Sequence, residues 1–282
     1  MNAIKRVSVV STGTVDIRPQ HVRSDGTPAL WWLLTSRSWT GPRPINVYVI
    51  EHAEGLVLFD TGQARASVTD PGYFPGGVTG LLNRRLARFD IAPGETLPAL
   101  MTGLGYDIAD VRTAVLSHLH VDHIGGLPDL IGAEIVTSHV ERRSVDRAAA
   151  ALNGLMRDHI MLPGLRWELV TPRRTDDRSL APFTAAHDLF GDGALMLLPT
   201  PGHTPGSLSL LVRRPGRPPL LMVGDVSFDA RLMEEEHVPG LGRRSRLRDT
   251  TRKINALREA HPDLVILPAH DPSAAGRLAA SK

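Results

Sequence analysis

The sequence predicts an α/β fold, and three observations carry the prediction. Apolar residues make up 42% of a 282-residue chain, enough to build a sizeable core. Short apolar or alternating stretches recur along the whole length, interleaved with stretches whose apolar residues repeat at helical spacing. No Pro-, Gly- or Ser-rich linker and no low-complexity tract separates them, so residues 1–282 are expected to form one domain.

Each element follows from local pattern. The first sixty residues read as strands separated by turns; Ile45, Val47 and Val49 alternate with Asn46 and Tyr48, and 56–59 is a buried run. Trp31 and Trp32, taken as part of a strand, would face opposite sides. Residues 65–77 hold too many Gly and Pro for regular structure. Leu81, Leu82, Leu86 and Phe89 suggest a short helix, and 97–104 a second one ended by Gly105. Strands are expected at 113–116 and 134–137. Val145, Ala148, Ala149, Leu152, Leu155 and Met156 predict an amphipathic helix over 140–157. Asp188, Gly191, Asp192 and Gly193 read as a turn, followed by strands at 195–198, 208–212 and 220–223, with 213–219 a hairpin loop. Leu247, Ile254, Leu257 and Ala260 share one face of a helix, with Asp249 an internal cap, before a last buried strand at 264–267.

Charge excludes several classes of partner. The chain carries 32 Lys and Arg against 30 Asp and Glu, a formal net charge of +2. Its isoelectric point near 9.3 reflects an absence of cysteine and a scarcity of tyrosine, which leave little to titrate above histidine. The densest basic cluster, Arg243, Arg244, Arg246 and Arg248, follows Glu234, Glu235 and Glu236 and reads as solvated surface, so no nucleic-acid partner is expected. No apolar run approaches the roughly 18–20 residues of a membrane-spanning helix. The N-terminal stretch, broken by Ser and Thr, does not read as a signal peptide. The expectations are no membrane partner and a cytoplasmic location. Without cysteine, disulfides and thiolate chemistry are excluded, and any metal must be held by nitrogen and oxygen.

The chemistry-bearing segment is 117–126, Ser-His-Leu-His-Val-Asp-His-Ile-Gly-Gly. His118 and His120 lie two apart just after a predicted strand, so in extended chain their imidazoles leave on one side. Asp122 and His123 come after the chain begins to turn and approach from another direction. Gly125 and Gly126 allow close backbone packing. Such a cluster of nitrogen and oxygen donors is what a compact metal site needs.

The string HLHVDH resembles the HxHxDH signature of the metallo-β-lactamase superfamily, and further motifs follow in order. LFDTG at 58–62, TPGHTPGS at 200–207, VGD at 223–225 and PAH at 268–270 resemble the remaining signatures of that family. The resemblance implies a four-layer αββα sandwich with a dinuclear site at the sheet edges. It implies that His118, His120 and His203 hold one ion, that Asp122, His123 and His270 hold the other, and that Asp225 bridges them. Two divalent ions are implied; imidazoles with a shared carboxylate suit zinc, and such donors also accept Fe, Mn or Co. Asp60 is implied to orient a ligand from behind or to shape its own turn.

Within the superfamily, the all-His first site with Asp225 argues against the β-lactamases. His120 in place of an acidic residue argues against the oxygen-reducing flavoproteins, and the compact chain leaves no obvious room for a nuclease's inserted domain. The stretch 45–52 leading into GLVLFDTG, the Gly105-Tyr106-Asp107 turn and the roughly 80-residue gap from His123 to His203 resemble the quorum-quenching N-acyl homoserine lactonases. That resemblance implies a small-molecule substrate. It also implies attack of a metal-bridging hydroxide on a lactone carbonyl, with Asp122 or Asp225 relaying the proton. The alternatives are a glyoxalase II-like thioesterase or another ester or phosphoester hydrolase, and, more remotely, a metal-binding protein without catalysis. Glyoxalase II enzymes carry a helical C-terminal domain, and twelve residues after His270 leave no space for one. One departure from the lactonases stands out: the Tyr usual three residues after the bridging Asp is Phe228 here. Tyr73 is the candidate substitute phenol, and Phe74, Leu81 and Phe89 are candidates for an acyl pocket. The remaining histidines, His21, His52, His139, His159, His187, His237 and His261, read as turn or polar-face residues, with His139 and His159 close enough in sequence to approach the cleft. A homodimer contact is one use for an exposed tryptophan at 31 or 32.

Overall fold

The computed structural model of the chain describes residues 3–281; Met1 and Asn2, which open the N-terminal stretch read above, and Lys282 lie outside the described residues. Thirteen strands are described: β1 Ile4–Ile17, β2 Arg43–His52, β3 Gly55–Phe59, β4 Ala87–Asp90, β5 Val111–Val115, β6 Glu134–Ser138, β7 Arg166–Val170, β8 Arg173–Arg174, β9 Ala185–Asp188, β10 Leu195–Pro199, β11 Leu208–Val212, β12 Leu220–Gly224 and β13 Val265–Pro268. They form a seven-stranded sheet in the order β4-β1-β2-β3-β5-β6-β7 and a six-stranded sheet in the order β13-β12-β11-β10-β9-β8. Both sheets are mixed: β3, β5, β6 and β7 run parallel, as do β12 and β13, and the other pairs are antiparallel.

Side-chain alternation explains the layering. Tyr48, Ile50, Val57 and Phe59 from one sheet meet Leu195, Leu197, Leu208, Leu210 and Met222 from the other in a shared interior. The intervening residues of the first sheet, Val47, Val49, Leu56 and Leu58, face outward onto helical segments carrying Leu97, Met101, Ile124 and Leu127. On the second sheet Met196, Leu198, Leu211 and Leu221 face outward onto Ile254 and Leu257 of the helix Arg244–Ala260. Strands apolar at every position are buried on both faces, which gives the four layers αββα. No helix among the described residues is long and apolar enough to cross a membrane.

Several local expectations are corrected. After β1 the chain forms two short helices, Pro19–Val22 and Ala29–Thr35, instead of further strands. Trp31 and Trp32 therefore share a helix, whose rotation per residue leaves Trp31 65% exposed and Trp32 2%. The breaker-rich stretch contains the helix Ala66–Thr69, and the next helix, Gly77–Leu86, stops before Phe89, which belongs to β4. The helix expected over 140–157 breaks into His139–Ser144, a series of turns ending at left-handed Gly154, and Arg157–Ile160. Apolar spacing there is satisfied by wrapping over the site, with Val145, Ala150 and Leu155 still buried. Asp249 caps nothing; it lies inside the helix Arg244–Ala260.

Candidate metal centre

The candidate ligands leave the C-terminal ends of strands on both sheets. β5 leads to His118, β10 to the loop of His203, β12 to Asp225 and β13 to His270. Backbone bonds join the two sheets here: Leu208 N donates to Ser117 O at 2.9 Å and Asn46 N to Ala269 O at 3.0 Å. The Tyr48 hydroxyl donates to Pro268 O at 3.0 Å. Gly125 N donates to Gly62 O at 2.6 Å, and a Cβ on Gly125 would collide with the backbone of Gln63 and Ala64. The glycine is required by this close approach.

All seven candidate ligands meet. His118 Nε2 and His203 Nε2 each lie 3.0 Å from His120 Nδ1. His123 Nε2 and His270 Nε2 each lie 3.4 Å from Asp225 Oδ1, while Asp225 Oδ2 is 3.4 Å from His203 Nε2. Asp122 adds Oδ1 at 3.8 Å from His123 Nε2 and Oδ2 at 3.5 Å from His270 Nε2. The donors form two groups, with one Asp225 oxygen turned to each.

The outer nitrogens decide what the inner ones can do. His270 Nδ1 donates to Pro44 O at 2.9 Å, and His120 Nε2 donates to Asn153 O at 2.9 Å. His123 Nδ1 donates to Asp60 Oδ2 at 2.8 Å. The Ser117 hydroxyl donates to Asp60 Oδ2 at 2.9 Å, so it accepts from His118 Nδ1, also at 2.9 Å. Each acceptor fixes the proton on the outer nitrogen and leaves a lone pair on the inner one. His123 Nε2, His270 Nε2 and Asp225 Oδ1 are buried and have no hydrogen-bond partner. Converging lone pairs and orphaned buried acceptors are repulsive by themselves and complementary to cations, so the residues present fit two divalent ions.

Electrostatics separates the donors into imidazoles already neutral and one, His123, that must release a proton to bind a cation. Burial, then neighbouring imidazoles, hold His118 and His203 well below the usual histidine range, which keeps them neutral. Burial alone would lower His123, yet Asp60, Asp225 and Asp122 around it hold its pKa well above the ordinary value. Asp225 is held well below the carboxylate range against the effect of burial, by His270, His123 and His203.

Asp60 supports both groups. It has a left-handed backbone, φ 60°, and accepts from Ser117 N at 2.7 Å as well as from Ser117 Oγ and His123. A left-handed non-glycine residue with a saturated buried carboxylate has the geometry expected of a positioning residue. Asp60→Asn should weaken metal affinity about 10–100-fold, as loss of a partner behind a ligand does, measured by competition with a chelator; unchanged affinity would confine Asp60 to shaping its turn.

Sequence reasoning missed Glu141. Its fully buried carboxylate accepts from Leu119 N (3.2 Å), Thr204 Oγ1 (2.7 Å) and Gly206 N (3.0 Å), tying the His118–His120 segment to the His203 loop. Burial raises its pKa despite these donors. Ser138 and Glu141 have the spacing of a helix-capping box, and that was the available signal. Ser138 Oγ does accept from Glu141 N at 2.9 Å, but the Glu141 side chain turns to the two ligand loops.

The cluster opens into a cavity of about 660 Å³. Asp122, Asp225, Phe74, Phe89 and Phe228 line it. Tyr73 is not among the lining residues: its hydroxyl donates to Gln63 Oε1 at 3.0 Å, and its ring stacks on His159 at 4.2 Å. Leu81 is 47% exposed on the outer side of its helix, while Leu82 and Leu86 face the cavity. His52 pairs with Asp192 at 3.0 Å, away from the site. His21 is a second omission. It lies on the cavity wall, and burial pushes its pKa down to about 4.

Comparison with known proteins agrees with this geometry. A family model described as the metallo-beta-lactamase superfamily matches residues 40–270. The N-acyl homoserine lactonase AttM of Rhizobium radiobacter is 34% identical over 239 residues, covering 82% of this chain and 83% of that protein. Among solved structures, an N-acyl homoserine lactone hydrolase with N-hexanoyl-L-homoserine at its catalytic metal centre superposes with a TM-score of 0.76 at 21% identity, covering 96% of this chain and 95% of the other. The dizinc quorum-quenching lactonase AidC superposes with a TM-score of 0.61 at 16% identity, covering 96% and 91%.

Proposed function

The chain belongs to the metallo-β-lactamase superfamily, and we propose that it is a dinuclear hydrolase opening the lactone ring of N-acyl homoserine lactones. One observation carries the reading: four of the donors, His120, Asp122, His203 and Asp225, line the same cavity as Phe74, Leu82, Leu86 and Phe89. That shape suits an acyl chain joined to a polar, hydrolysable head. The similarity to AttM supports the same substrate class.

In this reading His118, His120 and His203 hold one ion; Asp122, His123 and His270 hold the other; Asp225 offers an oxygen to each. Bound there, a pair of divalent cations supplies Lewis acidity and a water of near-neutral pKa. Zinc is the proposed metal, since neutral imidazoles with carboxylates match its preference and AidC is a dizinc enzyme. Asp122 is the proton carrier: its side chain is 19% exposed, against 5% for Asp225. As a water oxygen bonds to the lactone carbonyl carbon, its proton is taken at an Asp122 carboxylate oxygen and passes to the ring oxygen when that carbon–oxygen bond breaks, and the product is the N-acyl homoserine. The apolar wall takes up the acyl chain and keeps bulk water from the reacting carbonyl. Trp31 and its neighbours Leu30 and Leu34, exposed on one short helix, are the face proposed for a homodimer contact.

A chain-length series tests the substrate. kcat/KM for acyl homoserine lactones should rise with acyl length until the cavity is filled, at about 0.8 kcal/mol, or roughly fourfold, per buried methylene. Inert lactones alongside thioester or phosphoester turnover would move the protein to another branch of the superfamily.

A further inference from the structure

His21 belongs to none of the ligand groups, yet its surroundings are those of the site. It sits in the helix Pro19–Val22, and its carbonyl accepts from Gly240 N at 3.0 Å, which holds the backbone against the 237–242 loop. Its ring lies 4.8 Å from Phe228 and 6.4 Å from His203, centre to centre. The rings of the first candidate ligand group are 4.6–4.8 Å apart, so His21 stands just outside that group, against His203. Phe228 in turn stacks on His270 at 5.2 Å. The imidazole thus packs on His203 of one group and reaches His270 of the other through Phe228.

Neither ring nitrogen of His21 has a hydrogen-bond partner, and both are buried. The side chains packed on it, Trp32, Phe228 and His203, supply aromatic faces. Four of the five candidate ligand histidines, by contrast, anchor their outer nitrogen on Ser117, Asn153, Asp60 or Pro44. Leaving a buried polar group unpaired costs about 1–3 kcal/mol. That cost at the wall of a binding cavity calls for an occupant that repays it. A neutral imidazole offers one donor and one acceptor. No hydrogen bond fixes the ring, which lines the cavity, so a turn about its broad Cβ–Cγ torsion that would bring an N–H to the cavity breaks none.

Resting on the lactonase reading, we propose that His21 is a catalytic residue, donating its imidazole N–H to the substrate carbonyl oxygen on which negative charge develops during ring opening. Phe228, beside it, carries no group that could donate. The donor therefore comes from the N-terminal helix and not from the segment after Asp225.

The test is His21→Phe and His21→Gln, each assayed for bound metal, melting temperature and lactone kinetics beside the wild-type holoenzyme. His21→Phe should keep two metals per chain and an unchanged or higher melting temperature, since it removes two unpaired nitrogens. Its kcat should fall about 10²-fold, as when a donor to a developing oxyanion is lost, with KM changing far less. His21→Gln, which restores an N–H, should recover part of that loss. Wild-type kcat in a metal-replete His21→Phe enzyme would overturn this role alone. Loss of metal or of folding in both variants, with no recovery in His21→Gln, would make His21 a packing residue and overturn it too. A metal-loaded wild type inert toward every lactone would overturn the lactonase reading, and this role with it.

Discussion

Asp225→Ala should reduce lactone hydrolysis by at least about 10³-fold and leave fewer than two metal ions bound per chain. The carboxylate is 5% exposed and faces three imidazole nitrogens at 3.4 Å, one from the first ligand group and two from the second. No other described side chain has an oxygen directed to each group. In the dinuclear reading its removal would delete a ligand to both ions, and it removes one of the two carboxylates among the seven candidate ligands. Metal-centred charge stabilisation is worth several kcal/mol, and each 1.36 kcal/mol is tenfold in rate. Elemental analysis of the purified variant together with its kcat/KM decides the matter. Near-wild-type activity would sink the dinuclear reading.

Removing the metal should be as severe, and it also reads on stability. Without cations, the inner nitrogens of His118, His120 and His203 crowd together at 3.0 Å, and the outer partners of His118 and His120 set their inner lone pairs against each other. Ions bound by the native state and not by the unfolded chain stabilise it by about 4 kcal/mol when free metal exceeds its Kd a thousandfold. Chelation should therefore abolish turnover and lower the melting temperature on the order of 10 °C. Re-addition of zinc should restore both, and the same titration with Mn, Co or Fe tests metal preference. A chelated protein shown to be metal-free that melts where the holoenzyme melts would show that the cluster contributes nothing to the fold.

Much of the architecture was legible because strands here are short apolar runs bounded by turn residues. The runs at 56–59, 113–116, 195–198, 208–212, 220–223 and 264–267 all appear as strands within a residue or two of expectation. Helical spacing was a poorer guide where the chain lies over the site. The 140–157 stretch has the apolar period of a helix but is broken, and Asn153 in its turns presents a carbonyl to His120 at 2.9 Å. Tertiary contact overrode local preference at a point where a ligand needs an acceptor. The same holds for Tyr73: the sequence shows a phenol near the cleft, and packing shows it committed to Gln63 and His159.

The sequence by itself named the candidate ligand set that the structure brings together. Its donors lie at strand ends or one to five residues apart, and such spacings are governed by local backbone geometry. It also determined that any metal would be held by nitrogen and oxygen, since no cysteine exists. Only the tertiary structure decided which partners stand behind the candidate ligands. Pro44 reaches His270 from 226 residues away, Asp60 reaches His123 from 63, and Glu141 clasps two loops at separations of 22 and 65. Such contacts come from how the two sheets and their loops pack, and no local periodicity encodes them. The unpaired His21 ring against Phe228 is of the same kind, visible only once the N-terminal helix and the loop after β12 meet at the cavity wall.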